Sequence, residues 1–417
     1  MKKLFFPVML FAVAMSSCSE DETSMGDYPG AADSGDLVSI NVYAGTTKGS
    51  DTTTSTLEDS MYVELHIDDS GTISDTYTFT YASSDWSQTE TDPVKWGDIV
   101  FPANFYSLHD GAAFDNLSFT DNVATYSDYT VSGVSTSHKD LVFHASKLDA
   151  IPTGNVLSVY HKHALSKIHL YAATGTYNVY IAKATLVNVD GEGTVTITPL
   201  AADALSTDVG ATWTNNDSNY DDYEYYYIGD NAATALNSTT SGGDELINSA
   251  TDAPLMIIPQ TTTAITSESI AASSIGTESY IEVIYYMTNT GGYPIVGYPS
   301  VSYMSDASDY VDADQNITLY VKAAFPLGYT FTPNKEYDIH LGLGEDGSTG
   351  GILVEDVYVD KDGDPVKLTK KDDSSEEEVE IPEKEPGDDV LDGQNSEIDI
   401  TVSVTTWDDG DSVTLEY

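Results

Sequence analysis

The stretch that decides the fold is Tyr62-Val63-Glu64-Leu65-His66-Ile67, then Asp68-Asp69-Ser70-Gly71, then Thr76-Tyr77-Thr78-Phe79-Thr80-Tyr81. Two runs of period two around a turn-forming acidic/glycine segment are the signature of a β-hairpin. Val63, Leu65 and Ile67 on one strand, and Tyr77, Phe79 and Tyr81 on the other, share the face that seeks a core. Working outward, similar runs recur at 156–161, 165–171, 177–189, 193–198, 281–286, 317–323, 337–343, 352–359, 398–404 and 413–417. They are rich in Val, Ile, Thr and Tyr, which suit a pleated, half-buried surface. Helical i, i+3, i+4 spacing is not sustained; Asp244 to Ala250 alone offers a short helical turn. Many short strands punctuated by Gly, Asp and Pro imply an all-β chain of β-sandwiches.

Length and composition set the domain count. A chain of 417 residues suggests two domains at about 150 residues each. Small residues (Ala201, Ala202, Ala204), the Asn215–Asn219 polar run and a Ser/Thr/Gly run at 237–243 interrupt the strand rhythm. This places a boundary near residue 200, giving sandwiches at 37–199 and 200–417. Residues 372–392 hold eleven carboxylates and one lysine, with Pro382 and Pro386. Like-charge repulsion and low hydrophobicity predict a flexible acidic linker there. The C-terminal strands, 397–417, follow it.

The charge excludes several functions. There are 16 basic and 68 acidic residues, a formal charge of −52, and all the basic residues are lysines. Nucleic-acid binding needs cations to neutralise phosphates, and docking on anionic lipid needs a basic patch. Neither is available. No Gly-x-Ser-x-Gly, His-Glu-x-x-His or phosphate-binding glycine loop occurs, so the chain reads as a non-enzyme.

The N-terminus gives the address. Lys2 and Lys3 precede the apolar run Leu4–Met15, and Ser16-Ser17-Cys18 follows. A basic head, a short apolar core and small residues describe a secretory signal peptide over residues 1–17. The run is too short to span a bilayer, which takes about 20 residues. Cys18 is the single cysteine, so no intrachain disulfide forms. In this position it resembles a bacterial lipobox, which implies lipid on Cys18 and residues 18–36 as a lipidated tether. Two or more acyl chains anchor a protein stably. Ser19-Glu20-Asp21-Glu22 resembles the acidic lipoprotein export signal of Bacteroidetes, which implies an outer-membrane lipoprotein displayed at the cell surface. No cofactor beyond that covalent lipid is called for.

Three other clusters carry residue types suited to chemistry or binding. His161 and His163 share one strand face, with His169 further along. They are either zinc ligands awaiting carboxylates or structural histidines, the latter being commoner. Asp360-Lys361-Asp362-Gly363-Asp364 resembles the front of a calcium loop but lacks the twelfth-position Glu. A type I′ hairpin at Asp362-Gly363 accounts for it more simply. The tyrosines at 223–227 either stack sugars or pack at a sandwich edge.

Four segments resemble the Bacteroidales fimbrillin family, the shaft and accessory subunits of lipoprotein-derived fimbriae. Val159-Tyr160-His161-Lys162-His163-Ala164-Leu165-Ser166-Lys167-Ile168 is similar to its "F-x-H-x-L-[AS]-K-[IL]" strand. Leu255-Met256-Ile257-Ile258-Pro259-Gln260 is similar to "M-x-[IV]-P-Q", Phe331 to Tyr337 to "F-x-x-[GN]-x-x-Y", and Val404-Thr405-Thr406-Trp407 to "I-x-x-W". The resemblance implies two tandem transthyretin-like β-sandwich domains and fimbrial assembly by strand exchange. In that family a protease removes the first strand, and a neighbour's C-terminal strand fills the groove, a form of β-augmentation. The removable strand would be Leu37–Tyr43, with the cut at Lys48 in the loop that follows. The donor would be Glu397–Tyr417, with Ile398, Ile400, Val402 and Val404 entering pockets; the competing reading is that this strand closes its own domain. Implied partners are other fimbrial subunits, the outer membrane through the lipid, and a host protein or glycan. Family shaft subunits are often cut after arginine, which this chain lacks. An uncut chain would serve as an anchor, a tip or a free surface lipoprotein.

Overall fold

The computed structural model describes residues 35–44, 62–69, 74–82, 85–109, 117–120, 122–131, 139–201, 210–215, 220–227, 244–246, 255–299, 310–311, 317–343, 349–370, 375–391, 400–406 and 412–415. Within them the protein is all-β, as its strand periodicity predicts.

The first sheet joins β1 (Ser39–Ala44), β2 (Tyr62–Asp69), β3 (Ser74–Ala82), β4 (Asp85–Gln88), β5 (Ala103–His109), β8 (Val142–Leu148) and β9 (Val156–His163) in the order β1-β9-β8-β5-β2-β3-β4. The β13 pair (Leu200–Ala201) adds to β8. A second sheet runs β14 (Ala211–Asn215), β12 (Glu192–Ile197), β7 (Val123–Thr130), β6 (Leu117–Thr120). A third runs β16 (Asp244–Glu245), β10 (Ser166–Ala173), β22 (Lys335–Gly342), β26 (Ile400–Thr406), β27 (Ser412–Leu415), with β17 (Leu255–Ile257) on β10. A fourth runs β15 (Tyr220–Tyr227), β11 (Asn178–Asp190), β18 (Tyr280–Thr288), β21 (Val321–Pro326), β23 (Ile352–Leu353), with β19 (Pro294–Val296) on β18. A three-stranded sheet of β20 (Tyr310–Val311), β24 (Lys367–Lys370) and β25 (Glu376–Glu378) completes the set.

The deciding hairpin is β2–β3. Val63 lies opposite Phe79 and Leu65 opposite Tyr77. Val63, Leu65, Ile67 and Phe79 are buried, while Tyr77 and Tyr81 are half-buried against the same core. The first core also takes Val38, Ile40 and Val42 of β1, Trp96, Phe105 and Val159. A larger core gathers the inner faces of the second, third and fourth sheets with Tyr106, Leu108 and Phe143.

The chain passes from the first sheet to the third at Ala164–Leu165, between β9 and β10, and both residues are fully buried. Sheet pairing therefore runs across the boundary expected near residue 200. β10 and β11 precede it yet pair with β22 and β18, while β12 and β14 extend a sheet begun by β7. The small polar residues after 200 mark a change of composition, and composition carries no record of strand partnership.

Three local expectations are corrected. Asp244–Glu245 is a two-residue strand on β10 and not part of a helical turn; the rest of the expected turn, 247–250, lies outside the described residues. The helix α1 is Ser267–Ala271, capped by Thr266 Oγ1 accepting from Ser269 N at 3.1 Å, with Ile270 buried; five residues are too few to display a period. At 360–364 Gly363 alone takes a positive φ, of 95°. Gly363 N donates to Asp360 O and Asp360 N to Asp364 O, the three-residue loop with a glycine bulge in place of a type I′ turn. Asp360 Oδ1 is engaged by the amides of Asp362 and Asp364.

The acidic linker is packed where the structure describes it. β25 pairs with β24, Val379 and Val390 are buried, and Ile381 and Leu391 lean on the larger core. Val379 N donates to Val366 O, Ile381 N to Asp356 O, Val390 N to Gly351 O and Leu391 N to Thr349 O. Glu376, Glu378, Glu380, Glu383, Glu385 and Asp388 all stay exposed. Repulsion among carboxylates is relieved by water on one side while sparse aliphatic residues supply the burial on the other. Val379→Asp puts an unpaired charge at a site 2% exposed, costing several kcal/mol. At about 2–4 °C per kcal/mol, thermal melts should show a fall on the order of ten degrees, whereas Glu380→Gln should leave the melt unchanged.

Candidate functional site

β1 is the terminal strand of its sheet. It runs parallel to β9, with Ser39 opposite Val156 and Ala44 opposite His161. Its alternation is strict: Val38, Ile40 and Val42 enter the first core, while Leu37, Ser39 and Asn41 face outward. Its start is stitched to the segment after β4. Val38 N donates to Val94 O, Trp96 N to Asp36 O, and Gln88 Nε2 to Val38 O at 2.8 Å and Val94 O at 3.0 Å. Gln88 Oε1 accepts from Val94 N at 2.8 Å. At about 1.5–3 kcal/mol per buried aliphatic side chain, its three core residues are a substantial share of the strand's hold. Without β1, the β9 edge would lose its backbone partners above an apolar cleft, the geometry that strand addition uses.

The other sequence-level candidates divide as follows. Cys18, Lys48 and Ile398 lie outside the described residues. Ile400 and Val404 are half-buried against the larger core, and Val402 is 4% exposed within it. β26 is antiparallel to β22 from Leu341↔Ile400 to Lys335↔Thr406, and β27 adds to β26. The expected donor strand thus lies in its own sheet. Alternation fixes which face of a strand seeks a core but not whose core, which is why the sequence left both readings open. Val402→Asp should therefore destabilise the isolated monomer by several kcal/mol, read as lowered melting temperature and recovery of folded chain.

The family-like segments at 159–168 and 331–337 meet at the β9–β10 passage. Asn334 Oδ1 accepts from His163 N at 3.2 Å, and Asn334 N donates to Leu165 O at 3.1 Å. Ser166 Oγ donates to Thr332 O at 2.8 Å, and Trp213 Nε1 to Ala164 O at 2.7 Å. Asn334 takes a φ of 58°, a left-handed conformation that Asn and Gly tolerate best. Gln260 ties Ile258 O and both backbone groups of Asp190 together.

The histidines are built into the structure. His161 Nε2 meets Ser107 Oγ at 3.0 Å, and His163 Nδ1 meets Asp140 Oδ2 at 2.8 Å, all four residues buried. These serine, histidine and aspartate side chains are closed off from solvent. His169 is half-buried on the face of β10 opposite Ile168 and Leu170, 2.8 Å from Glu336. His169, Glu336 and Asp338 could together offer metal ligands. Cross-strand register explains the grouping: Lys167 faces Glu336, His169 faces Asp338 and Tyr171 faces His340, their rings stacked at 4.7 Å. Burial pushes the Glu336 carboxyl up, but the His169 hydrogen bond and the Lys167 charge hold it below its ordinary value. Lys167 Nζ stands 3.9 Å from Glu336, so a cation already shares this carboxylate. The Tyr223–Tyr227 cluster lies on β15, an edge strand beside β11.

Burial pushes the His144 imidazole from its ordinary 6.5 down to about 4, and His66, stacked on Phe119, likewise. Between those values the unfolded chain binds protons that the folded chain refuses, so stability falls as pH drops from about 6.5 to about 4. His144 accounts for on the order of 3 kcal/mol across that window. Melts at successive pH values between 7 and 4 should show a shallower acid dependence for His144→Gln than for the parent.

No protein-family model matches the chain, and no curated protein matches it by sequence. Among solved structures it is similar to a fimbrial protein from Bacteroides vulgatus: 12% identity, 73% of this chain and 94% of that one covered, TM-score 0.41. It is also similar to the tip fimbrial protein of Porphyromonas gingivalis with C-terminal truncation: 10% identity, 68% and 89% covered, TM-score 0.30. These neighbours are Bacteroidales fimbrial proteins.

Proposed function

We propose that this chain is a non-catalytic, adhesive subunit of lipoprotein-derived fimbriae, held at the outer membrane through lipid on Cys18 until it assembles with other fimbrial subunits. The observation that carries the reading is β1: an edge strand that fills an apolar groove with Val38, Ile40 and Val42 and pairs in parallel with β9. Lys48 is the single basic residue between β1 and β2, so a lysine-directed cut there would separate β1 from the chain that follows. The vacated groove would then take a strand from a neighbouring subunit. β26 is already engaged by β22, which favours an accepting role over a donating one.

The test is the N-terminus of protein taken from the cell surface. Assembled material should begin just after Lys48 and run as a ladder that resists detergent without heating. Unassembled precursor should begin at an acylated Cys18. If all surface protein begins at Cys18 and stays monomeric, the strand-exchange reading fails and a free surface lipoprotein remains.

A further inference from the structure

An open cleft of about 520 Å³ lies where β14, the end of β11 and the segment after β17 meet. Its floor is polar and braced. Asp190 and Gln260 are buried; Gln260 Oε1 accepts from Asp190 N at 2.8 Å, and Asn215 Nδ2 donates to Asp190 Oδ2 at 2.8 Å. One wall is Trp213. Gly193 on β12, paired with Asn215, leaves the room the Trp213 ring needs: a Cβ there would sit 3.3 Å from the indole. The indole N–H is committed to Ala164 O, so what Trp213 can offer the cleft is carbon surface. The rim carries the exposed hydroxyls of Thr212, Thr263 and Thr277.

The lining dictates a ligand class. Hydroxyls and side-chain amides both donate and accept, which suits a partner bearing many hydroxyl groups. An aromatic wall suits the C–H face of a ring. The volume falls within the roughly 300–1,000 Å³ of small-molecule sites, yet the lining is too polar for a lipid or steroid. Among the described residues no lysine lines the cleft, Asp190 contributes a carboxylate, and the chain carries −52, so an anionic ligand would be repelled. We propose that this cleft binds a neutral oligosaccharide, with one sugar ring against Trp213 and its hydroxyls on the Asp190–Asn215–threonine floor and rim. The inference stands apart from strand exchange, because a monomer contains the whole cleft.

The full chain should be tested against immobilised oligosaccharides terminated by mannose, galactose, xylose or N-acetylglucosamine, with sialylated and sulfated glycans alongside. Thr212→Arg and Thr277→Arg place a long side chain over the cleft from exposed positions, where folding should be unaffected; Tyr293→Ala alters a distant residue that is 68% exposed. Expected is binding of at least one neutral glycan, weakened about tenfold or more by either arginine at unchanged melting temperature, and unaltered by Tyr293→Ala. Binding to no neutral glycan, binding to the anionic glycans alone, or full binding by both arginine variants would overturn the assignment.

Discussion

The structure depends on one constraint: a chain that crosses from sheet to sheet through a dry interior must satisfy its peptide groups there. Ala164 and Leu165 make that crossing fully buried. Unpaired, each polar backbone group would cost free energy comparable to a lost hydrogen bond. The solution is distributed over the sequence. Trp213 donates to Ala164 O, Asn334 N to Leu165 O, and the Asn334 side chain takes the His163 amide. Residues 49 and 171 positions away from their partners thus fix how the first sheet and the third meet. Two of the family-like segments, at 159–168 and 331–337, thus meet at one junction.

The same economy governs the two ends of the fold. β1 and β26 are both short alternating strands whose inner residues fill a core; β1 pairs with β9 and, at its start, with residues 94–96, whereas β26 pairs with β22 and β27. β1 hangs on a parallel edge and is followed by residues that carry one lysine. β26 is clasped between β22 and β27. β1 therefore has one strand partner in its sheet where β26 has two.

The charge of −52 is accommodated by geometry. Period two lets a strand hold carboxylates in water on one face and aliphatics in a core on the other. β25 and the segment after it carry this to its limit, with exposed glutamates around Val379, Ile381 and Val390. Burying a few aliphatic residues, with backbone bonds to Tyr358, Val366 and Gly351, outweighs repulsion that solvent already screens. Charge density alone therefore misjudged this stretch as a linker.

The sequence by itself determined the fold class, the β2–β3 hairpin with its buried face, the first strand at Leu37–Tyr43 and most later strands, because side-chain alternation is a local property of the pleat. It also marked His163, Gln260, Asn334 and Tyr337 as noteworthy through family resemblance, without saying what they touch. Only the tertiary structure decided that β10 and β11 belong with strands beyond residue 200, that β26 closes its own sheet, and that Asp190, Trp213 and Asn215 share a cleft. Those facts are pairings between segments tens to hundreds of residues apart, and alternation carries no record of which strand lies next to which. Partner choice is settled by the packing of whole cores and by the satisfaction of buried polar groups, which exist only once the chain has folded.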